Sequence, residues 1–334
     1  MGKFLYVFVA AISIALFYFI GFCSYIFLAV FNVLQSFGIN IDIPFENELF
    51  LFQSVLSAFF FVIFPVLVLG FFIALVLYSG GFRPRNVKGV FFKPIRDPEI
   101  VVALTAYNDE LSISAAVKDF IKQDNVTEVV VVDNNSTDET SKRASEAGAR
   151  VVHETKQGYG YACIRGLKEC LKNKEANIIV LAEGDRTFRG YDLRKLIPYL
   201  DNVDAVLGTR TGQDLMDKWT QLDWFMVWGN LFLGALVQLK FWNAMCWGKI
   251  RLSDVGCTKR AIRREALEKI IDQLHVGGDH FSPDMIMVML KNELRMIEVP
   301  ITFWPRVGKS KGASKNRGYA SKIGLKMMWH ILKF

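Results

Sequence analysis

VVVVDNNSTD, residues 129–138, sets four β-branched residues in a row, ends them on a carboxylate and runs into a polar turn. A strand that is apolar at every position, not every second one, is buried on both faces, as in a parallel sheet covered by helices. IIVLAEGD, residues 178–185, repeats the pattern and ends on Glu183, Gly184 and Asp185. In an open parallel sheet both acidic ends emerge at the carboxyl edge, where ligands bind. Carboxylates gathered there repel one another unless a cation lies between them.

Strand and helix patterns alternate on either side of these runs. IVVAL, 100–104, reads as a strand, and Asn108 or Asp109 can cap a helix whose apolar face includes Leu111, Ala115, Phe120 and Ile121. A helix from about Thr137 to Ala147, a strand at 151–153, a helix starting near Tyr159 and a strand at 205–208 follow. This repetition predicts a largely parallel sheet with right-handed crossovers.

The chain has 334 residues, 52% of them hydrophobic, and the excess lies at the N-terminus. No charged residue occurs between Lys3 and Asp42 or between Glu48 and Arg83. Each stretch exceeds the roughly 20 apolar residues that span a bilayer, so residues 1–82 are expected to hold two transmembrane helices, at about 4–34 and 49–78. The first stretch is too long for a signal peptide, whose apolar region runs to about 7–15 residues. A basic juxtamembrane linker, 83–98, carries Arg83, Arg85, Lys88, Lys93 and Arg96, against Asp42, Glu46 and Glu48 in the intervening loop. That asymmetry orients the following domain toward the cytoplasm, at the plasma membrane of a prokaryote or the endoplasmic reticulum of a eukaryote. Five cysteines without CxxC spacing and four scattered histidines exclude a zinc signature. The net charge of +7 comes from residues beside apolar segments and at the C-terminus, which fits anionic lipid or an anionic substrate and not nucleic acid.

TAYNDE (105–110), VVDNNSTDET (131–140), KQGYGYACIRG (156–166), AEGD (182–185), GTR (208–210) and DVGCTKRAIRREAL (254–267) occur in the order seen in glycosyltransferase family 2. Over roughly residues 98–310 the chain resembles the polyprenyl-phosphate branch of that family, which includes dolichyl-phosphate mannose and glucose synthases. The resemblance implies a GT-A domain, an α/β, Rossmann-like fold with a mostly parallel sheet. It implies transfer of one sugar, with inversion, from a nucleoside-diphosphate sugar to a polyprenyl (dolichyl) phosphate in the bilayer. EGDRTF is more like archaeal glucose and N-acetylglucosamine members, which favours a UDP-sugar over GDP-mannose.

Position by position, the resemblance implies that Ala106, Tyr107, Glu110 and Asp133 contact the base and ribose. Near Gly158 and Gly160, backbone N–H groups at a helix start, together with Lys156, could receive the diphosphate. A dinucleotide GxGxxG reading fails at Cys163. Glu183-Gly184-Asp185 stands where the family has DxD, so Asp185, with Glu183, is expected to coordinate Mg2+ or Mn2+. Glu183 replaces the usual first aspartate, and Thr187 stands where relatives often carry a metal-touching glutamine. Arg210, Arg306 and Lys309 are candidates for the acceptor phosphate, with Lys311 and Arg317 further out. The alternative for 306–317 is a solvated face attracted to anionic lipid. Asp254 falls where inverting members often place a catalytic carboxylate, with a helix cap as the other reading; Asp284 stands where relatives usually carry glutamate.

Residues 99–215 thus form the nucleotide-sugar half of the domain and 251–310 the acceptor side. Between them, 216–250 holds five of the seven tryptophans, Trp219, Trp224, Trp228, Trp242 and Trp247, and is expected to form interfacial helices. A basic interfacial segment, 311–334, closes the chain. A processive polysaccharide synthase would need a QxxRW motif, which does not occur. A catalytically silent nucleotide-sugar-binding subunit remains the reading from another class.

Overall fold

The structure is a computed structural model that describes residues 90–241, 251–308 and 317–334, with scattered helical positions between 15 and 38 and single positions at 55, 66, 67 and 70. The chain divides into two compact units, Met1–Pro84 with Lys333, and Arg85–Leu332 with Phe334. The expected spans at 4–34 and 49–78 lie mostly outside the described residues, as do Trp242, Trp247, Lys309 and Lys311. Among the described residues no helix is long and apolar enough to cross a membrane. Lys93, expected as a juxtamembrane charge, pairs with Glu265 at 2.7 Å.

Among the described residues the second unit is built on seven strands: β1 (Ile100–Ala106), β2 (Val126–Asp133), β3 (Arg150–His153), β4 (Ile178–Glu183), β5 (Ala205–Thr209), β6 (Arg260–Arg263) and β7 (Met296–Pro300). They lie in the order β3-β2-β1-β4-β6-β5-β7. β6 runs antiparallel between β4 and β5; the other pairings are parallel. Val129 to Val132 are at most 1% exposed, so each contributes about 1.5–3 kcal/mol of burial. This explains why β2 is apolar throughout: both faces are covered. On one face lies α1 (Ile113–Ile121), with Ile113, Ala116, Val117 and Phe120 in the core. α3 (Tyr159–Cys170) contributes Ala162, Cys163 and Leu167 to the buried interior, and α2 (Thr140–Glu146) precedes it.

The α1 face differs from the sequence expectation. Leu111 is 68% exposed and Ile121 39%, because the helix begins only at Ile113 and its 3.6-residue period selects 113, 116, 117 and 120. Asp109 starts the turn through its backbone oxygen, which accepts from Ser112 and Ile113, and not as a side-chain cap.

Register positions the acidic ends. Ala106 lies opposite Asp133, and Thr105 opposite Glu183, so β2 and β4 deliver their carboxylates to either side of the end of β1. Gly184 then turns the chain against this edge, where a Cβ would sit 2.5 Å from Ile113 Cδ1. Past the sheet, α4 (Leu193–Leu196) is followed by α5 (Trp224–Lys240), α6 (Arg264–Ile270), α7 (Phe281–Lys291) and α8 (Arg317–Lys333), and α5 and α8 meet start to start and end to end. Arg317 meets Asp223 at 3.1 Å at one end of the pair, and Lys240 donates to the Leu332 carbonyl at the other.

Candidate active site

A cleft of about 810 Å3 opens at the carboxyl edge. The ends of β1 and β4 line it with Ala106, Tyr107, Asp109, Glu183, Asp185 and Thr187; Arg210 follows β5, and Phe303 and Arg306 follow β7. Its other wall is apolar, with Leu222, Phe225, Met226, Phe232 and Leu233 on or beside α5 and Ile323, Leu325, Met327 and Met328 on α8.

The Asp185 carboxylate is fixed from its own loop. Oδ1 accepts from the Thr187 backbone at 3.0 Å and the Thr187 hydroxyl at 2.6 Å, while Oδ2 lies 3.4 Å from the Arg306 guanidinium. Arg306 also meets Asp109 Oδ1 at 3.3 Å. Glu183 accepts from the Thr258 hydroxyl at 2.5 Å, and that hydroxyl also contacts the Tyr159 hydroxyl. Burial, and then the neighbouring Asp185, push the Glu183 carboxyl up to about 7 despite Arg306, Thr258 and Arg210. Burial opposes the charge on Arg306, but Asp185, Glu183 and Asp109 outweigh it and raise its pKa.

Among the described residues no group of three or more His, Cys, Asp or Glu side chains is arranged to hold a metal. A hard divalent cation, however, needs only one or two carboxylates when substrate phosphates and water complete its shell. Two carboxylates close enough to raise a pKa, with a hydroxyl beside them, are an all-oxygen donor set that fits such an ion.

Arg210 and Asp254 form a closed pair. Arg210 Nε donates to Asp254 Oδ2 at 2.7 Å, its terminal nitrogen to Oδ1 at 2.8 Å, and its backbone N–H to Oδ2 at 2.9 Å. Burial opposes the Arg210 charge, but Asp254 more than compensates and raises its pKa. Asp254 is 2% exposed and does not line the cleft, so its carboxylate is spent on aiming Arg210, which does. The guanidinium also stacks 5.2 Å from the Phe303 ring.

The structure thus brings together Ala106, Tyr107, Gly158, Glu183, Asp185, Arg210 and Arg306. It does not bring Glu110, Asp133, Lys156 or Gly184 to the cleft lining. Asp133 accepts from the Ser136 backbone and the Ser141 hydroxyl, with His153 at 3.7 Å. Glu110 accepts from the Glu139 backbone N–H, and Lys156 Nζ lies 5.7 Å over the Tyr161 ring. The amides expected to receive a diphosphate have other acceptors: Gly158 donates to Asn134 Oδ1 at 2.8 Å, and Gly160 and Tyr161 donate to the Gly277 carbonyl. Asp284 is buried and pairs with His330 at 2.7 Å.

Sequence reading assigned no role to Thr258, Tyr159 or Asn134, and assigned Asp109 only a capping one. Asn134 ties the end of β2 to the loop between β3 and α3 by donating to the Glu154 and Lys156 carbonyls and accepting from Gly158. Thr258 and Tyr159 lay inside recognised motifs, but their contacts join residues 75 and 99 positions apart, which no local spacing encodes.

A mostly parallel sheet with a carboxylate pair at its carboxyl edge and arginines across the cleft defines a GT-A type α/β transferase domain. Residues 101–271, just over half the chain, match Glycosyl transferase family 2, and the chain belongs to that family. The resemblance to the polyprenyl-phosphate branch holds among curated relatives. An undecaprenyl-phosphate mannosyltransferase of Micrococcus luteus is 28% identical, over 62% of this chain and 86% of that one. A dolichyl-phosphate hexose transferase of Haloferax volcanii is 26% identical, over 64% and 86%. Glucosyl-3-phosphoglycerate synthase from Mycobacterium tuberculosis, solved with Mn2+, UDP and phosphoglyceric acid, shares the fold with a TM-score of 0.52 at 19% identity, over 71% of this chain and 78% of that one.

Proposed function

We propose that the protein transfers a single sugar from a nucleoside-diphosphate sugar to a polyprenyl phosphate at a membrane surface, with inversion at the anomeric carbon. One observation carries this reading: a single cleft holds a carboxylate pair, two arginines and a long apolar wall. A divalent cation fits the first, a phosphate the second and an isoprenoid chain the third. The names of the Micrococcus and Haloferax relatives support the acceptor class, and the metal found in the Mycobacterium structure supports the cation. UDP is the favoured nucleotide, on the EGDRTF resemblance, with GDP as the other.

In this reading Asp185 and Glu183 would hold Mg2+ or Mn2+, which when bound would supply neutralisation of charge on the departing diphosphate. Thr187 and Thr258 keep the two carboxylates in place. Arg210, aimed by Asp254, and Arg306 bind the acceptor phosphate. A phosphate monoester has a second pKa of about 6, so it is mostly a dianion near neutral pH and needs no base. Its oxygen forms the new bond to the anomeric carbon as the bond to the nucleoside diphosphate breaks. That chemistry accounts for an Asp254 carboxylate committed to an ion pair. Trp224 and Trp228, at i and i+4 of α5, are 63% and 67% exposed and would rest on the bilayer beside the acceptor.

The test is transfer of radiolabel from UDP-sugars and GDP-mannose, with Mn2+, into a lipid extract. A lipid carrying one sugar is the expected product. A polymer would identify a processive synthase, and no product despite nucleotide binding a silent subunit.

A further inference from the structure

Asp185 offers a cation one oxygen. Oδ1 is already taken twice by Thr187, and Oδ2 is the atom that faces Arg306. The guanidinium bridges this oxygen and Asp109, with the carboxylates 2% and 5% exposed and the arginine side chain 13%. Its seat is incomplete, because Nε is buried with no hydrogen-bond partner among the described residues. The backbone on either side is anchored separately: Trp304 donates to the Thr187 carbonyl at 3.0 Å and Val307 to the Asp185 carbonyl at 3.3 Å. The side chain can therefore leave while its Cα stays beside the cleft. Arg210 has no such freedom, since Asp254 grips it at three points.

We propose that Arg306 and a divalent cation are alternative occupants of Asp185 Oδ2, and that arrival of the metal with its nucleotide releases the guanidinium to bind the acceptor phosphate. This rests on the metal assignment of the proposed function. Two cations cannot share one buried oxygen without strong repulsion, whereas a displaced guanidinium tethered within reach gains a dianionic partner. Donor loading would thereby complete the acceptor site, and by linkage each ligand would tighten the other.

Mn2+ binding by the full-length protein in detergent, followed by electron paramagnetic resonance, separates the two readings. Asp185→Asn should abolish binding; undiminished affinity in that variant would remove the metal assignment itself. Arg306→Gln should bind Mn2+ roughly three- to tenfold more tightly than wild type, the scale of one partly buried ion pair. Arg306→Lys, which keeps the charge, should stay within about twofold of wild type on the same scale. Unchanged or weaker binding in Arg306→Gln, with Asp185→Asn inactive in binding, would overturn the exchange alone. A second arm uses citronellyl phosphate: saturating Mn2+ with UDP should tighten its binding to wild type and not to Arg306→Gln. If Arg306 served the diphosphate instead, Arg306→Gln would lose affinity for UDP with Mn2+, and the proposal would fail.

Discussion

At Glu183 the extra methylene relative to an aspartate lets the carboxylate reach the Thr258 hydroxyl, in a place where Asp185 is already close. The result is a carboxyl that ionises near pH 7 where about 4.5 is usual. A carboxyl raised on folding binds its proton more tightly in the folded state than in the unfolded chain. Its effect is absent below pH 4.5 and grows increasingly unfavourable as pH rises from 4.5 to 7, by up to about 1.4 kcal/mol per unit. Metal-free Glu183→Gln should therefore melt with wild type at pH 4.5 and above it at pH 8. If thermal melts instead favour wild type at pH 8, the charge is compensated by Arg306 and Arg210, and the carboxylate pair is not waiting for a cation. Both acids were legible in the sequence because each follows a buried strand that must end at a ligand edge. The role of Asp109 was not: its Arg306 partner lies 197 positions away.

Among the elements, α3 was placed correctly at Tyr159, but the reason for the glycines at its start was not legible. They read as a phosphate cradle, whereas the chain at 276–277 packs against them: a Cβ on Gly160 would lie 2.0 Å from the Val276 carbonyl oxygen and 2.8 Å from the Gly277 carbonyl carbon. Both obstacles are backbone, so they cannot swing aside. Helix propensity favours alanine over glycine by about 0.8–1.0 kcal/mol, while overpacking of this kind costs about 1–3 kcal/mol or more. The clash should win, and Gly160→Ala should lower the thermal midpoint. Gly229→Ala in α5, where beyond its chain neighbours and its own helix backbone an added Cβ would meet no described atom within 4 Å, should leave the midpoint unchanged or raise it. Equal effects at the two sites would show that 276–277 is not held against α3. β1 to β5 were legible to within a few residues, since runs such as VVVV have one stable environment, whereas the short β6 and β7 were not read as strands at all. The antiparallel insertion of β6 was not legible either, because RAIR carries no signal of direction.

For the whole molecule, the proposed function raises the question of how a lipid whose tail lies in a bilayer would reach a cleft at the edge of a sheet. α5 and α8 answer it together, each burying one side against the protein and turning the other outward. The outward side of α5 carries Trp224 and Trp228; that of α8 carries Lys322, Lys326 and Trp329. Indoles and lysines on one surface match the chemistry of an anionic membrane boundary, and the inner sides of the same helices form the apolar wall of the cleft. A polyprenyl chain could pass from bilayer to cleft without crossing water. Replacing Trp224 and Trp228 by alanine should then raise the KM for a long polyprenyl phosphate in vesicles on the order of tenfold, about 1.4 kcal/mol of interfacial contact. The KM for water-soluble citronellyl phosphate should not move, because that acceptor needs no docked surface. A parallel rise for both acceptors would assign the tryptophans to the shape of the cleft and leave the outward face without a role in membrane contact.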